Sequence, residues 1–256
     1  MFPIYIPSKG RAELKGGTID TLGGLPFKIV CEPQEYSAYY DRVGPARVIR
    51  LPKNNQGLAF SRQFIKQYST DCGDEYHWQM DDDIRSFLFR KKGGHEILPA
   101  QEALKQVEQE VLRYNNIGQA GMNQNSWPPN CDRPIVVNGL PVQSFLVNNS
   151  VKAEFRLRRL NDMDFTMQIL REGWCSLMFD LLRTNCPPIG TNAGGLHDVY
   201  QKKEILLESM RQIVKDNPSM SIEQDEKGWH LKKNRIFSTF KQQPIPVNLE
   251  PFKLTY

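Results

Sequence analysis

Residues 75–83 read Glu-Tyr-His-Trp-Gln-Met-Asp-Asp-Asp, a short run of mostly large side chains that passes directly into three aspartates. Such a run predicts a strand over residues 75–80, and the aspartates predict the acidic loop that follows it. Towards the N-terminus, short strands stopped by proline or glycine are predicted over residues 2–6, 25–31 and 47–51. Helical patterns separate them over residues 34–42 and 58–68.

This alternation of strand and helix predicts the α/β fold class, with a Rossmann-like and mainly parallel sheet flanked by helices. Ligands of such sheets bind at the carboxyl ends of the strands, so Ser8, Arg11, Glu32 and the triple aspartate are expected at one edge. The second half is more mixed. We expect helices over residues 100–115, 164–172 and 199–214, a strand over 174–179, hairpins over 135–146 and 220–233, and a loop over 182–195.

Composition limits the class of protein. The chain has 256 residues, 39% of them hydrophobic and 24% charged, which excludes a disordered chain. All apolar runs are shorter than the ~18 residues of a membrane span, and the first residues lack the pattern of a signal peptide. Five widely spaced cysteines fit a reducing cytoplasm better than a disulfide framework. We therefore expect a cytoplasmic protein without a membrane partner.

The net charge of +4 is concentrated at the C-terminal end. Residues 226–256 hold six Lys or Arg against two Asp or Glu, and the preceding 225 residues are balanced at 27 against 27. A basic end on a neutral body suits a polyanionic partner such as nucleic acid. A solvated basic face explains the pattern equally well.

The aspartate triplet is the strongest local signal for chemistry. Side chains alternate along an extended segment, so Asp81 and Asp83 are expected to point the same way, with Asp82 pointing away. Two converging carboxylates repel each other unless a cation lies between them. Mg²⁺ and Mn²⁺ prefer oxygen ligands and are often completed by a substrate diphosphate. An acidic loop that is merely solvated is the alternative.

Two later segments offer further functional side chains. Asp162 and Asp164 are candidates for a general base beside the metal, although a carboxylate also suits the start of the short helix predicted there. Residues 190–198 form a glycine-rich segment that contains His197. This histidine is either a late metal ligand or a solvent-facing residue at the entry to a helix.

Four ordered motifs carry a resemblance to a known family. Residues 7–11 (Pro-Ser-Lys-Gly-Arg) follow the first strand, residues 30–36 (Val-Cys-Glu-Pro-Gln-Glu-Tyr) close the second, residues 57–62 (Gly-Leu-Ala-Phe-Ser-Arg) open a helix, and the aspartates follow the fourth strand. In this order they resemble the nucleotide-sugar half of GT-A glycosyltransferases. Together with the later D-x-D-F…G segment (residues 162–173), they resemble the TET-associated glycosyltransferases of bacteriophages over roughly residues 1–200.

The resemblance implies a single GT-A domain over residues 1–256. Residues 1–95 would form the nucleotide-sugar half, residues 96–240 a mixed acceptor half and residues 241–256 an extended tail. It also implies a phage-encoded enzyme of the host cytoplasm with no obligate protein partner. That enzyme would use Mn²⁺ or Mg²⁺ to move a sugar from UDP-N-acetylglucosamine or UDP-glucose to 5-hydroxymethylpyrimidine in DNA, mainly 5-hydroxymethylcytosine.

By matching positions, the resemblance assigns roles to residues. Asp83 is expected to bind the metal, Asp81 to approach the ribose or the metal, and His197 to supply a late metal ligand. Asp162 is expected to activate the acceptor. The residues expected to bind the nucleotide are Pro7, Ser8, Arg11, Glu32, Arg62, Asp81 and Asp82.

One position departs from the family pattern. Many inverting GT-A enzymes have an acid immediately before the base, and this chain has Asn161 there. The choice between Asp162 and Asp164 as the base therefore stays open, as does inversion or retention at the anomeric carbon.

The implied reaction sets its own requirements. A hydroxymethyl oxygen is a poor nucleophile near neutral pH and needs a carboxylate within hydrogen-bond reach. A base inside a duplex must also be flipped out or presented at an opened site. Candidates for phosphate contacts and for stacking are Lys232, Lys233, Arg235 and Lys241, or Arg156, Arg158 and Arg159, with Trp127 and Trp229.

Other classes of protein remain compatible with these residues. A nucleotidyltransferase or a two-metal nuclease also pairs carboxylates with a metal ion, but would yield pyrophosphate or cut strands instead of UDP. A nucleic-acid-binding module without catalysis would be indifferent to the loss of Asp81 or Asp83. A glycosyltransferase that acts on a protein or a saccharide would release UDP without DNA.

Overall fold

The structure is a computed structural model that describes residues 1–126, 133–188, 199, 202–226, 228–232 and 236–247. Its strands are β1 (Ile4–Pro7), β2 (Lys28–Cys31), β3 (Val48–Arg50), β4 (Tyr76–Met80), β5 (Ser86–Lys91), β6 (Gly94–Leu98), β7 (Ile117–Gln124), β8 (Ile135–Val137), β9 (Ser144–Asn148), β10 (Cys175–Asn185), β11 (Ser221–Asp225) and β12 (Gly228–Lys232). Its helices are α1 (Thr18–Thr21), α2 (Tyr36–Val43), α3 (Leu58–Asp71), α4 (Ala100–Val111), α5 (Asn161–Arg171), α6 (Lys203–Asp216) and α7 (Ile236–Thr239). No helix among these residues has the length and apolar character needed to span a membrane.

Ten strands form one sheet in the order β3-β2-β1-β4-β9-β7-β10-β5-β6, with β8 paired to β10 off this path. Strands β3, β2, β1 and β4 are parallel, and β7 and β10 are parallel. Among these strands β9, β5 and β8 run against the rest, so seven of the ten share one direction. The predicted α/β fold with a mainly parallel sheet is confirmed, and so is its more mixed second half.

Helices cover both faces of the sheet, as the two-residue period of the strands requires. Along β1, Ile4 and Ile6 pack in a cluster with Leu104 of α4, whereas Tyr5 packs with Ile65 of α3 on the opposite face. Helix α2 joins the α4 side, and α5 joins the α3 side. Helix α6 and the β11–β12 hairpin pack against α5 in a further apolar cluster.

The second half differs from the sequence prediction in several places. The hairpin expected over residues 135–146 is wrong, because β8 pairs with β10 while β9 inserts between β4 and β7. Strands β5, β6 and β7 have no counterpart in the prediction. Strand β10 continues to Asn185, into the loop expected over residues 182–195, and α5 begins at Asn161 instead of Asp164.

Candidate active site

The carboxyl ends of parallel strands form one edge of the sheet. Strands β1, β2 and β4 point the same way and end at Pro7, Cys31 and Met80. The residues that follow these ends are Ser8, Glu32 and the aspartates Asp81, Asp82 and Asp83. Strand β9 starts at the same edge because it is antiparallel to β4. Just before it, the Gln143 carbonyl accepts a 2.7 Å hydrogen bond from the Asp81 amide.

The three aspartates do not alternate in direction. The strand ends at Met80, and residues 82–83 form a turn, so the extended geometry assumed for the triplet is wrong. One terminal nitrogen of Arg11 pairs with both Asp82 and Asp83, the latter at 3.1 Å. The Asp82 side chain is 9% exposed, against 30% for Asp81 and 19% for Asp83. Asp82 therefore anchors the turn, while Asp81 and Asp83 are the more exposed carboxylates of the triplet.

The start of α1 braces this turn, a feature that the sequence motifs do not reveal. The Thr18 amide donates to the Asp82 carbonyl at 3.1 Å, and the Thr18 hydroxyl donates to the Asp81 carbonyl and accepts from the Ile84 amide. A Cβ on Gly17 would lie 2.6 Å from the Asp82 carbonyl oxygen. Only glycine allows α1 to approach the turn this closely.

Arg62 connects the aspartate edge to α5. Its side chain is buried on α3, and its guanidinium lies over the ring of Phe145 at 5.0 Å. One terminal nitrogen donates to Asp81 Oδ1 at 2.8 Å, and the other donates to Asn161 Oδ1 at 2.7 Å. Asn161 is the first residue of α5. This single arginine therefore holds the end of β4 and the start of α5 together.

The two candidate bases have different surroundings. Asp162 is half-buried at the first turn of α5, and its Oδ1 accepts a 2.9 Å hydrogen bond from the Met163 amide. Asp164 is 1% exposed, and its oxygens accept from Arg156 at 2.8 Å and from Gln168 at 2.9 Å. A substrate can contact Asp162 in this arrangement but not Asp164.

Several residues expected to bind the nucleotide contact one another. The Ser8 hydroxyl donates to Asp82 Oδ2 and lies 2.6 Å from the Tyr39 hydroxyl. The Arg11 amide donates to the same Tyr39 oxygen at 3.2 Å. Burial raises the pKa of Tyr39, so its phenol stays neutral and its hydroxyl can both donate and accept. The loop after β1 is thus held in one conformation against the aspartate turn.

Glu32 is the centre of a second network at the same edge. It is buried, and it accepts hydrogen bonds from Lys9 Nζ at 3.1 Å, from the Gln34 side chain at 2.8 Å and from the Asn55 amide at 2.8 Å. These contacts tie the loops after β1, β2 and β3 together. In this structure Glu32 shapes the wall of the edge, with its oxygens already engaged by protein donors.

Left-handed backbone at non-glycine residues is concentrated around the site. Asn55 (φ 58°) follows β3, Gln143 (φ 62°) accepts from the Asp81 amide, and Leu160 (φ 57°) precedes α5. Such conformations cost about 1–3 kcal/mol each and persist where the surroundings determine them. The backbone conformation of these loops is therefore determined by tertiary contacts as well as by local conformational preference.

The Asp81 carboxyl at this edge has a raised pKa. Burial raises the pKa of Asp81 to about 6; Arg62 opposes this rise, and the neighbouring Asp83 and Asp82 add to it. Asp81 and Asp83, the more exposed carboxylates of the triplet, carry the hard oxygen atoms that Mg²⁺ and Mn²⁺ prefer as ligands. The described residues contain no group of three His, Cys, Asp or Glu able to hold a metal ion, and His197 lies outside them. Asp81 and Asp83 fit a metal whose remaining ligands come from elsewhere.

Comparison with known families places the chain. The family model of the TET-Associated Glycosyltransferase (TAGT) matches residues 2–186, a range that includes every residue predicted for catalysis, nucleotide binding or metal binding except His197. The chain belongs to the TET-associated glycosyltransferase family. This glycosyltransferase has no match among curated proteins.

Solved structures similar to this glycosyltransferase share little sequence with it. A proposed nucleotide-diphospho-sugar transferase from Desulfovibrio desulfuricans G20 has 9% identity and a TM-score of 0.45, over 82% of this chain and 99% of its own. A CMP:2-keto-3-deoxy-manno-octonic acid synthetase has 8% identity and a TM-score of 0.43, over 82% and 100%. An inositol-1-phosphate CTP transferase from T. maritima has 13% identity and a TM-score of 0.41, over 78% and 94%.

Proposed function

We propose that this glycosyltransferase moves a sugar from UDP-N-acetylglucosamine or UDP-glucose to the hydroxymethyl oxygen of 5-hydroxymethylcytosine in DNA. Membership of the TET-associated family supports sugar transfer and motivates the acceptor. The acidic edge at the carboxyl ends of the strands supports a nucleotide diphosphate donor held with Mn²⁺ or Mg²⁺.

The observation that carries this proposal is the position of Arg62. Its guanidinium binds Asp81 on the donor side and Asn161 on the acceptor side, at 2.8 Å and 2.7 Å. Asp162 follows Asn161 directly, so the candidate base is held at a fixed place relative to the aspartate edge. Transfer requires that arrangement, because the acceptor oxygen must meet the anomeric carbon next to the leaving diphosphate.

Asp81 and Asp83 are the residues that would hold the metal. A divalent ion held by these two residues would neutralise charge on the departing diphosphate. The chain itself holds these carboxylates in place through Arg62 and Arg11, and it keeps the turn rigid through Thr18. These contacts fix the positions of the two carboxylates that would hold the metal.

Asp162 is the base in this proposal. Its carboxylate accepts the hydroxymethyl proton while the acceptor oxygen forms its bond to the anomeric carbon and the bond from that carbon to the diphosphate breaks. Among the described residues its Oδ2 has no hydrogen-bond donor, which leaves that oxygen available. Asp164 instead fixes Arg156 and keeps the start of α5 in place.

Release of UDP tests the proposal. Wild type is incubated with each UDP-sugar and Mn²⁺, with DNA that contains 5-hydroxymethylcytosine or cytosine. The expected result is UDP release that requires the modified DNA and is lost in Asp83→Asn. Asp71→Asn, at the far end of α3, is the matched control and should behave as wild type. Release stimulated by a protein or a saccharide in place of DNA, or pyrophosphate as the product, would contradict the proposal.

A further inference from the structure

Residues 151–159 form an extended segment that crosses the acceptor side, here called the strap. Along it Val151, Ala153, Phe155 and Leu157 are buried, and the residues between them are exposed. This is the two-residue period of a strand, yet none of the described strands pairs with the strap. Its buried side chains pack on α5 instead, where the Phe155 ring stacks on Phe165 with centroids 3.8 Å apart.

Backbone amides of the strap donate hydrogen bonds to side chains of neighbouring helices instead of to an adjacent strand. The amides of Lys152, Glu154 and Phe155 donate to Glu172 of the α5 C-terminal end, Gln168 of α5 and Gln63 of α3, at 2.9, 3.2 and 2.9 Å. The Arg159 amide donates to Ser209 of α6 at 3.3 Å. Four acceptor oxygens from three different helices bind the strap amides along its length, so its outward side chains start from a rigid backbone.

The outward face of the strap is mainly basic, and its two central arginines differ sharply. Arg156 donates to both oxygens of Asp164 at 2.8 Å and also pairs with Asp216, so its charge is already neutralised. Arg158 is exposed, and no described carboxylate lies within ion-pair distance of it. The two arginines therefore have different roles: Arg156 fastens the strap, and Arg158 presents an uncompensated positive charge to solvent.

The strap places Arg158 close in the chain to Asp162, the candidate general base. Arg158 precedes Asp162 by four residues, so their Cα atoms are at most ~14 Å apart, the scale of one nucleotide with its flanking phosphates. The path between them is constrained, since Leu160 is left-handed and its carbonyl accepts the Asp164 amide at 3.0 Å. The two residues are therefore close enough for one nucleotide to span them, with its nucleobase at Asp162 and a neighbouring phosphate at Arg158.

We propose that Arg158 binds a phosphodiester group of the acceptor strand, next to the nucleotide that receives the sugar. The planar guanidinium suits two oxygens of one phosphate, and an exposed arginine without a protein partner binds such an anion without breaking an existing ion pair. This inference rests on the proposed function, because it takes the acceptor to be DNA. It adds that the enzyme recognises a phosphodiester backbone, so free 5-hydroxymethyldeoxycytidine is a much poorer acceptor than an oligonucleotide.

The test combines Arg158→Gln with a chemically neutralised phosphate. Oligonucleotides with one 5-hydroxymethylcytosine carry a single uncharged methylphosphonate at each linkage in turn, and the acceptor KM is measured for wild type and variant. We expect Arg158→Gln to raise the KM for normal DNA about tenfold, the loss of one charge-assisted contact. The slope of log KM against the logarithm of the salt concentration should fall by about one. At one flanking linkage, methylphosphonate should impair wild type but have no further effect on the variant.

Lys92→Gln is the matched control, because it removes an exposed positive charge at the β5–β6 turn. Strand β5 begins beside Asn185 at the carboxyl edge and runs away from it, so this turn lies at the opposite edge. Lys92→Gln should leave KM, kcat and the salt slope unchanged. Thermal unfolding of both variants should match wild type, which separates a contact from a folding defect.

The outcomes separate this inference from the proposed function. The inference is overturned if Arg158→Gln has the wild-type KM and salt slope. It is also overturned if methylphosphonate impairs the variant to the same extent at every linkage. In both cases the proposed glycosylation of DNA stands. If wild type transfers no sugar to DNA, the proposed function fails. Fluorescence anisotropy of the same oligonucleotide, carrying a label, then tests whether Arg158 contacts DNA. DNA binding weakened about tenfold by Arg158→Gln supports the contact, and equal binding by wild type and variant overturns it.

Discussion

Replacing Arg62 with methionine removes the contact that joins the two sides of the site while keeping most of the side-chain volume. The variant loses a charge-assisted hydrogen bond to Asp81, worth about 1.5–3 kcal/mol, and a hydrogen bond to Asn161, worth about 1 kcal/mol. It also loses the cation–π contact with Phe145, worth about 0.5–2 kcal/mol. Because Asp81 is 30% exposed, water replaces part of the ion pair. We expect a loss of about 3 kcal/mol in the free energy of unfolding at pH 8.

The size of this loss should depend on pH. With its pKa raised to about 6, Asp81 is mostly protonated at pH 5 and mostly charged at pH 8. The charge pair with Arg62 is therefore present at pH 8 and largely absent at pH 5, so Arg62→Met should destabilise the protein less at the lower pH. Urea denaturation followed by tryptophan fluorescence at both pH values, without divalent cations, measures the difference.

Arg113→Met controls for the loss of an arginine that pairs with one carboxylate. Arg113 follows the end of α4 and pairs with Glu110, and the Tyr114 hydroxyl also donates to Glu110, so this substitution should cost less than about 0.5 kcal/mol at either pH. A loss below about 1 kcal/mol in Arg62→Met, or one that is equal at pH 5 and pH 8, would refute the reasoning. It would mean that Arg62 does not hold Asp81 and Asn161 together in solution.

Three further substitutions and one titration test the site. Asp162→Asn should lower kcat by about 10²–10⁴-fold in a UDP-release assay with little change in donor KM, as the loss of a general base predicts; kcat within threefold of wild type would exclude that role. Asp164→Asn should instead lower the melting temperature, because the buried Asp164 carboxylate loses its charge pair with Arg156, and a wild-type melting curve would contradict this. Below pH 6, Mn²⁺ must displace a proton from Asp81 in order to bind. The apparent Kd for Mn²⁺, measured by calorimetry, should therefore rise about tenfold per pH unit below pH 6 and stay level above it. A Kd that does not change with pH would count against Asp81 as a ligand. Gly17→Ala should destabilise the protein by about 1–3 kcal/mol because its Cβ meets the Asp82 carbonyl, whereas Gly24→Ala, with open space around it, should be neutral in the same urea titration.

The first half of the fold follows from local sequence. Strands β1 to β4 are each short, rich in apolar or aromatic residues and stopped by a recognisable signal, and each predicted strand overlaps the observed one. The edge at their carboxyl ends follows from the parallel order alone. The second half is less predictable because its strands pair over long distances: β9 inserts between β4 and β7, and β8 pairs with β10 instead of β9. No local pattern contains that information.

The site shows the same division. The aspartate triplet and the segment around Asp162 are visible as motifs, and the structure places both near Arg62. The choice between Asp162 and Asp164 depends on the burial of Asp164 against Arg156, which only tertiary packing reveals. The direction of each aspartate was likewise not predictable, because a turn replaces the extended chain after Met80.

The central claim is that this chain glycosylates 5-hydroxymethylcytosine in DNA, and the mass of the DNA product tests it most directly. Oligonucleotides identical except for one cytosine, 5-methylcytosine or 5-hydroxymethylcytosine are incubated with wild type, Mn²⁺ and each UDP-sugar, and are analysed by intact-mass spectrometry. The account predicts that only the 5-hydroxymethylcytosine strand gains the mass of one sugar, and that Asp162→Asn abolishes the gain. UDP release with no mass gain on any strand would contradict the account.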